Sequence, residues 1–318
     1  MKIGIIVRTK FDPQYREIDT VGGRKLIEEV VIERLKKLKP QHKYVLLNLH
    51  KLNMKIAKSC DIVWLAFEDF TNLLKEQIHA RSDKSRKSLA TYEKTVATLL
   101  SIPTLYPPPR FLKFVHDKCE YYKWLNDTGY TISPTVCVRT RRPGIDNVMK
   151  TMKKWPKTVF KPVLGGETKG LQIYEPPYNK TAVAKYFRDA RKAEYPSIIL
   201  QRFMPEFATR RNPEIRTVWV GDKLQYAVHT TGWGEALKLT KSIPAKVRAT
   251  SKKIIADIEK KYNFKMTSIR IDWGKTPEFG LFINEIENGY GTFADINPRL
   301  SGGLPDKIAR RFIDIHGL

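Results

Sequence analysis

The chain has 318 residues, 42% of them hydrophobic, and its 58 Lys and Arg outnumber 33 Asp and Glu for a formal charge of +25. That length supports two or three lobes with cores of their own, and no run of 18 or more apolar residues is present to cross a membrane as a helix. Three cysteines, Cys60, Cys119 and Cys137, are an odd number and supply no disulfide framework; with no CxxC and six scattered histidines, they also argue against a zinc site.

The first segment, KIGIIV, is an apolar strand followed at once by charge, without the shape of a signal peptide, so a soluble, reducing, cytoplasmic setting is expected. Gly22 and Gly23 precede a helix over 23–37 with Leu26, Val30, Val31 and Leu35 at helical spacing, and short apolar strands follow at 44–49 and 62–67. Strand, helix and strand in alternation predict a parallel α/β unit. No GxGxxG follows the first strand, so a dinucleotide-binding unit of the Rossmann kind is not supported. A helical stretch over 85–100 runs into Pro103, Pro107, Pro108 and Pro109, which mark a boundary.

Beyond it, 111–126 reads as one helix and TISPTVCV as extended chain. A strand over 158–161, the segment PVLGGETKG and a strand over 171–174 predict a hairpin whose glycine-rich turn offers backbone N–H groups to a polyphosphate, with Lys161 and Lys169 adding charge. It is not a P-loop, which needs GxxxxGK[ST] opening a helix. A strand over 198–203, a hairpin about Gly221 and Asp222, and a helix over 246–262 come next.

Two strands then carry an acidic island within 268–303: Asp272 on the first, Glu285 and Glu287 on the second. Residues two apart on a strand face one side, so Glu285 and Glu287 point together, and pairing across the turn brings Asp272 beside them. Three converging carboxylates require a cation between them or a solvated surface, and the residues alone leave a divalent-metal site and a surface hairpin both open. Arg270 supplies a counter-charge from within. Basic runs lie at 139–161, eight cations against Asp146, and at 236–256, which has no acid. They read either as solvated helix faces or as the face of an anionic partner. Aromatic residues are not interleaved as in an RNA-stacking module, so nucleic acid is the less favoured partner.

Taken in order, HDKCEYYKWLNDTGYTISPT, VFKPVLGGETKG, ILQRFMPEF, RNPEIRTVWVGDKL and RID followed by Glu285 resemble the ATP-grasp superfamily, in its D-alanine ligase-like, carboxylate–amine ligase branch, over about 103–304. The resemblance implies an α/β protein with an ATP-grasp fold behind an N-terminal parallel α/β domain. Residues 1–104 would form that domain, 105–197 a central lobe with the glycine-rich loop, and 198–318 a C-terminal lobe with the metal site. It further implies ATP and one or two Mg2+ ions as cofactors. Lys118 and Lys161 would contact the α- and β-phosphates, while Gly165, Gly166 and Lys169 close over the triphosphate. Gln201, Phe203 and Met204 would hold the adenine, and Glu214 the ribose hydroxyls. Arg216 and Arg270 would sit at the transferred phosphoryl group, Asp272, Glu285 and Glu287 on the metal, and Arg299, Ser301, Gly302 and Gly303 at the acceptor substrate.

Two departures stand out. Glu287 places a charge where the family commonly has an asparagine, and Asp295, Asn297 and Arg299 form a second stretch similar to a metal strand, so Glu287 with Asp295 and Asn297 is an alternative set. The activity implied is an Mg-dependent ligase joining a carboxylate to an amine through an acyl phosphate, on an acidic small molecule or peptide. A kinase of the same fold acting on a polyanionic small molecule such as an inositol phosphate, and a non-catalytic basic binding module, remain the alternatives.

Overall fold

The structure is a computed structural model that describes residues 1–7, 20–21, 25–48, 52–65, 89–164, 170–231, 235–240, 242–288 and 303–318. In the N-terminal unit β1 (Lys2–Val7) lies between β4 (Lys43–Asn48) and β5 (Ile62–Leu65), all parallel, and β6 (Leu105–Tyr106) extends the sheet beside β5. A two-residue pair, β2 (Thr20–Val21) and β3 (Lys25–Leu26), precedes α1 (Ile27–Leu38), and α2 (Met54–Lys58) and α3 (Leu89–Leu100) complete this part. The strands are apolar on both faces, as a parallel sheet covered on two sides demands. Ile6, Val63, Leu65 and Leu99 fill one side. Ile3, Ile5, Val31, Leu35 and Trp64 fill the other.

The expected single helix over 111–126 is two. After α4 (Pro109–His116) the chain stops at Asp117, whose carboxylate accepts hydrogen bonds from Cys119 N at 2.9 Å and Glu120 N at 3.2 Å and so caps α5 (Lys118–Asp127). The cap makes Lys118 the first residue of a new helix.

The central sheet is antiparallel in the order β7 (Thr135–Arg139), β10 (Ser197–Arg202), β8 (Thr158–Pro162), β9 (Gln172–Tyr174), backed by α6 (Ile145–Met152) and α7 (Lys180–Lys192). The lobe boundary expected at 197/198 falls inside β10, whose partners β7 and β8 are both central-lobe strands. The predicted β8–β9 hairpin is present, and Gly170 at its foot has φ +77° with a would-be Cβ 2.8 Å from Pro162 Cγ, so only glycine fits there.

The C-terminal sheet runs β13 (Glu235–Thr240), β12 (Lys223–Thr231), β11 (Glu214–Val220), β14 (Ser268–Thr276), β15 (Gly280–Asn288), antiparallel throughout. Its apolar face packs on α8 (Ala245–Tyr262) through Trp219, Ile254, Ile258, Ile269 and Ile271. The last helix, α9 (Leu304–His316), returns to the N-terminal unit and packs against α1. There Leu304, Ile308 and Phe312 share one core with Ile3, Ile5 and Trp64 and with Val218, Tyr226 and Val228 of the large sheet.

The expectation of no disulfide is corrected. Cys119, in the first turn of α5, is bonded to Cys137 on β7, with Cα atoms 5.9 Å apart and a sequence separation of 18. Counting cysteines does not reveal which two elements the fold lays side by side; Cys60 is the buried free thiol.

Candidate functional site

The acidic island forms as its spacing required. β14 and β15 pair with Asp272 opposite Glu285 and Arg270 opposite Glu287, and β11 sets Arg216 opposite Asp272 on the other side. Alternation therefore places Glu214, Arg216, Arg270, Asp272, Glu285 and Glu287 on one face, while Ile215, Ile269, Ile271 and Ile286 turn to the apolar side.

Within that face each charge is matched. Arg270 Nε and Nη2 donate to the two oxygens of Asp272, both at 3.0 Å, and Nη2 also lies 2.7 Å from Glu287 Oε2. Arg216 Nε donates to Glu214 Oε2 at 2.7 Å and stands 3.8 Å from Asp272. Glu285 is ion-paired to Lys118, which α5 presents from its first position. Burial pushes the Glu285 carboxyl up, but the ammonium groups of Lys118 and Lys161 outweigh it and hold the group below the usual carboxylate range. For Asp272, 1% exposed, burial pushes the carboxyl up against the pull of Arg270, and Glu214 adds to the push.

A bulge shapes the site. The β14–β15 register shifts after Asp272, so that Trp273 faces Ile283 and Asn284 is the extra residue. Freed from strict alternation, Asn284 donates from Nδ2 to Glu214 Oε1 at 2.7 Å, and its carbonyl accepts from the Tyr122 hydroxyl at 2.5 Å. Glu214 also accepts from Thr230 Oγ1 at 3.0 Å, so three donors occupy its buried carboxylate.

The central lobe contributes its lysine here as well. β8 directs Lys161 to the junction, where Nζ donates to the Tyr122 hydroxyl at 3.2 Å and sits 5.3 Å from the centre of that ring. Burial lowers its pKa, while Glu285 and Glu214 pull the other way. On β10 the buried Gln201 donates to Thr135 Oγ1 at 3.1 Å. Past the strand, Phe203 N donates to Lys157 O at 3.0 Å, the Lys157 ammonium lies 5.6 Å over the Phe203 ring, and Met204 is buried.

Two lysines far apart in sequence, Lys118 and Lys161, thus meet the acid strand at one place between the central and C-terminal sheets. Tyr122 and Asn284 were not singled out in the sequence, although Tyr122 lies one helical turn past Lys118 and so shares its face. Gly303 stands at the start of α9. Gly165, Gly166, Lys169, Asp295, Asn297, Arg299, Ser301 and Gly302, with the Gly22–Gly23 pair, lie outside the described residues.

Among the described residues no three Asp, Glu, His or Cys side chains gather as a metal cage. Glu285 and Glu287 offer oxygen ligands with side chains 19% and 34% exposed, whereas both Asp272 oxygens are taken by Arg270. Two carboxylates suit Mg2+, which usually takes one or two plus phosphate oxygens and water. A cavity of about 590 Å3 opens elsewhere, beside the end of α8, lined by Tyr106, Glu259, Asn263, Phe264, Lys265 and His316, and none of the site residues borders it. No helix among the described residues is long and apolar enough to cross a membrane.

No protein-family model and no curated protein matches the sequence. Solved structures are similar over nearly the whole chain. D-cycloserine synthetase DcsG superposes with a TM-score of 0.70 at 13% identity, covering 99% of both chains. A RimK domain ATP-grasp protein from Sphaerobacter thermophilus gives 0.61 at 14% identity and 99% coverage of both. D-alanine–D-alanine ligase from Bacillus anthracis gives 0.61 at 14% identity, covering 99% of this chain and 97% of its own. At such identities the likeness is one of fold, and the fold of this chain is that of the ATP-grasp proteins.

Proposed function

We propose that this chain is an ATP-dependent ligase that joins a carboxylate to an amine. The observation that carries the reading is the meeting of Lys118, Lys161 and Glu285 at one junction between two antiparallel sheets. Two ammonium groups there suit phosphate oxygens, and a carboxylate beside them suits the cation that accompanies ATP. In this reading Lys118 and Lys161 bind the α- and β-phosphates, and Gly165, Gly166 and Lys169 close over the chain of phosphates. The segment with Gln201, Phe203 and Met204 holds the adenine, and Glu214 faces the ribose side. The superposed ligase and synthetase support the chemistry by analogy of fold, which does not carry the substrates over.

Moving the γ-phosphoryl group onto a carboxylate brings anions together, and positive charge at the junction lowers that cost. Arg216 and Arg270 stand on the same sheet face to orient the transferred group. Glu285 and Glu287, with Asp272 behind them under the Arg270 clamp, would hold Mg2+, which neutralises phosphate charge when bound. The acyl phosphate formed on the substrate is attacked by the amine nitrogen; the C–O bond to phosphate breaks, and an amide, ADP and phosphate leave. No nucleophile from the protein is needed. The acceptor would lie near Arg299, Ser301, Gly302 and Gly303, and the charge of +25 favours an acidic small molecule or peptide.

The test measures ADP and free phosphate together, with Mg-ATP and a panel of small acids, peptides and amines. The ligase reading requires equal ADP and phosphate, dependent on both an acid and an amine. ADP without matching free phosphate would replace it with a kinase of the same fold, and no turnover or ATP binding at all would leave a basic binding protein.

A further inference from the structure

The Tyr122 hydroxyl lies where three parts of the molecule meet. It sits on α5, four residues after Lys118; it donates to the carbonyl of Asn284 on β15, next to Glu285; and it accepts from Lys161 Nζ on β8. One oxygen thus ties the central sheet to the C-terminal sheet through a buried path. The two bonds are compatible in direction, since the single phenol proton goes to the carbonyl and a lone pair receives the ammonium. Burial keeps that proton on the oxygen.

We infer that Tyr122 is the positioning residue for Lys161, holding the ammonium against the acid strand so that both lysines present to one anion. The inference deepens the ATP-site reading and rests on it for its functional readout. Lys161 is the terminus of a flexible four-carbon stem, and its other neighbours, Glu285 and Glu214, attract it without fixing a direction. The hydrogen bond to the Tyr122 hydroxyl does fix one. The bulge at Asn284 completes the device by offering the carbonyl toward α5.

The experiment compares wild type with Tyr122→Phe, which keeps the ring and deletes the oxygen, and uses two readouts. The first needs no nucleotide: the pH profile of Lys161 acetylation, followed by mass spectrometry. Loss of an acceptor that favours the charged amine moves the Lys161 profile to lower pH in the variant while other lysines stay put. The second is the ATP titration, in which KM for ATP rises about tenfold with kcat changed far less. A merely structural tyrosine, bonded only to Asn284, would lower Tm and leave the Lys161 profile where it was; that result overturns the inference. An unchanged profile and unchanged KM overturn it equally. Should wild type fail to bind ATP, the nucleotide reading falls while the acetylation profile still decides the role of Tyr122.

Discussion

Two regions where parts of this molecule meet are lined with opposite materials. Where α9 returns to the N-terminal unit, Phe312 stacks on Trp64 with ring centroids 4.3 Å apart and meets Tyr106 edge-on at 5.8 Å, inside a shared apolar core. On the face where Lys118 and Lys161 meet the acid strand, above an apolar core that the central and C-terminal sheets share, the contacts are Lys118 with Glu285, Arg270 with Asp272 and Glu287, and Lys161 with Tyr122. Apolar contact is non-directional and adds up with area, so the first junction secures stability. Buried charge pairs return little net stability once desolvation is counted, yet removing one partner is costly, so the second junction secures geometry. A cleft that must accept an anion is served by the second kind of contact, and the body behind it by the first.

Substitutions on either side sharpen this contrast. The largest effect belongs to Glu285→Gln: turnover falls by about a thousandfold, with a smaller fall in Tm because Lys118 loses its charged partner although the amide keeps the shape. Near-normal turnover would remove Glu285 from the site. Phe312→Ala acts in reverse, costing about 3–5 kcal/mol of stability in denaturant titration and leaving KM for ATP unchanged below the unfolding range. A change in KM there would mean that the two junctions are coupled.

The disulfide belongs to neither class. It ties the first turn of α5 to β7 and acts mainly on the unfolded chain, so Cys119→Ser costs about 3 kcal/mol, and a dithiol reductant reproduces the loss in wild type but not in the variant. An equal response to reductant in both proteins would contradict the bond.

The smallest effect is one of pH. Burial against Tyr106 and Phe312 lowers the His316 pKa from 6.5 to about 4, so above 6.5 the ring is neutral folded or unfolded. As pH falls from 6.5 towards 4 the unfolded chain takes up the proton first, and stability declines. His316→Gln flattens that part of the stability profile; an unaltered slope would assign it to other groups.

Much of the site was legible in the sequence because strand alternation is a local rule. Asp272, Glu285 and Glu287 fall on one face for that reason, and Lys161 falls beside a hairpin its own glycines announce. What was not legible depends on neighbours distant in sequence. Asn284 reaches Glu214 only because the register slips after Asp272, and nothing in FINEIEN marks the slip. Tyr122 matters only once β8 and β15 converge on it. The break at Asp117 was readable as a cap but hidden by the apolar periodicity that runs through both helices. Cys119 and Cys137 are paired by the packing of α5 on β7, and no spacing rule foretells it.

The most direct measurement is calorimetric titration of Mg-ATP into the wild-type protein and into Lys161→Met. The expected result is one saturable site in wild type and binding weakened at least about tenfold in the variant. Equal affinity in both proteins, or no binding in wild type, would contradict it.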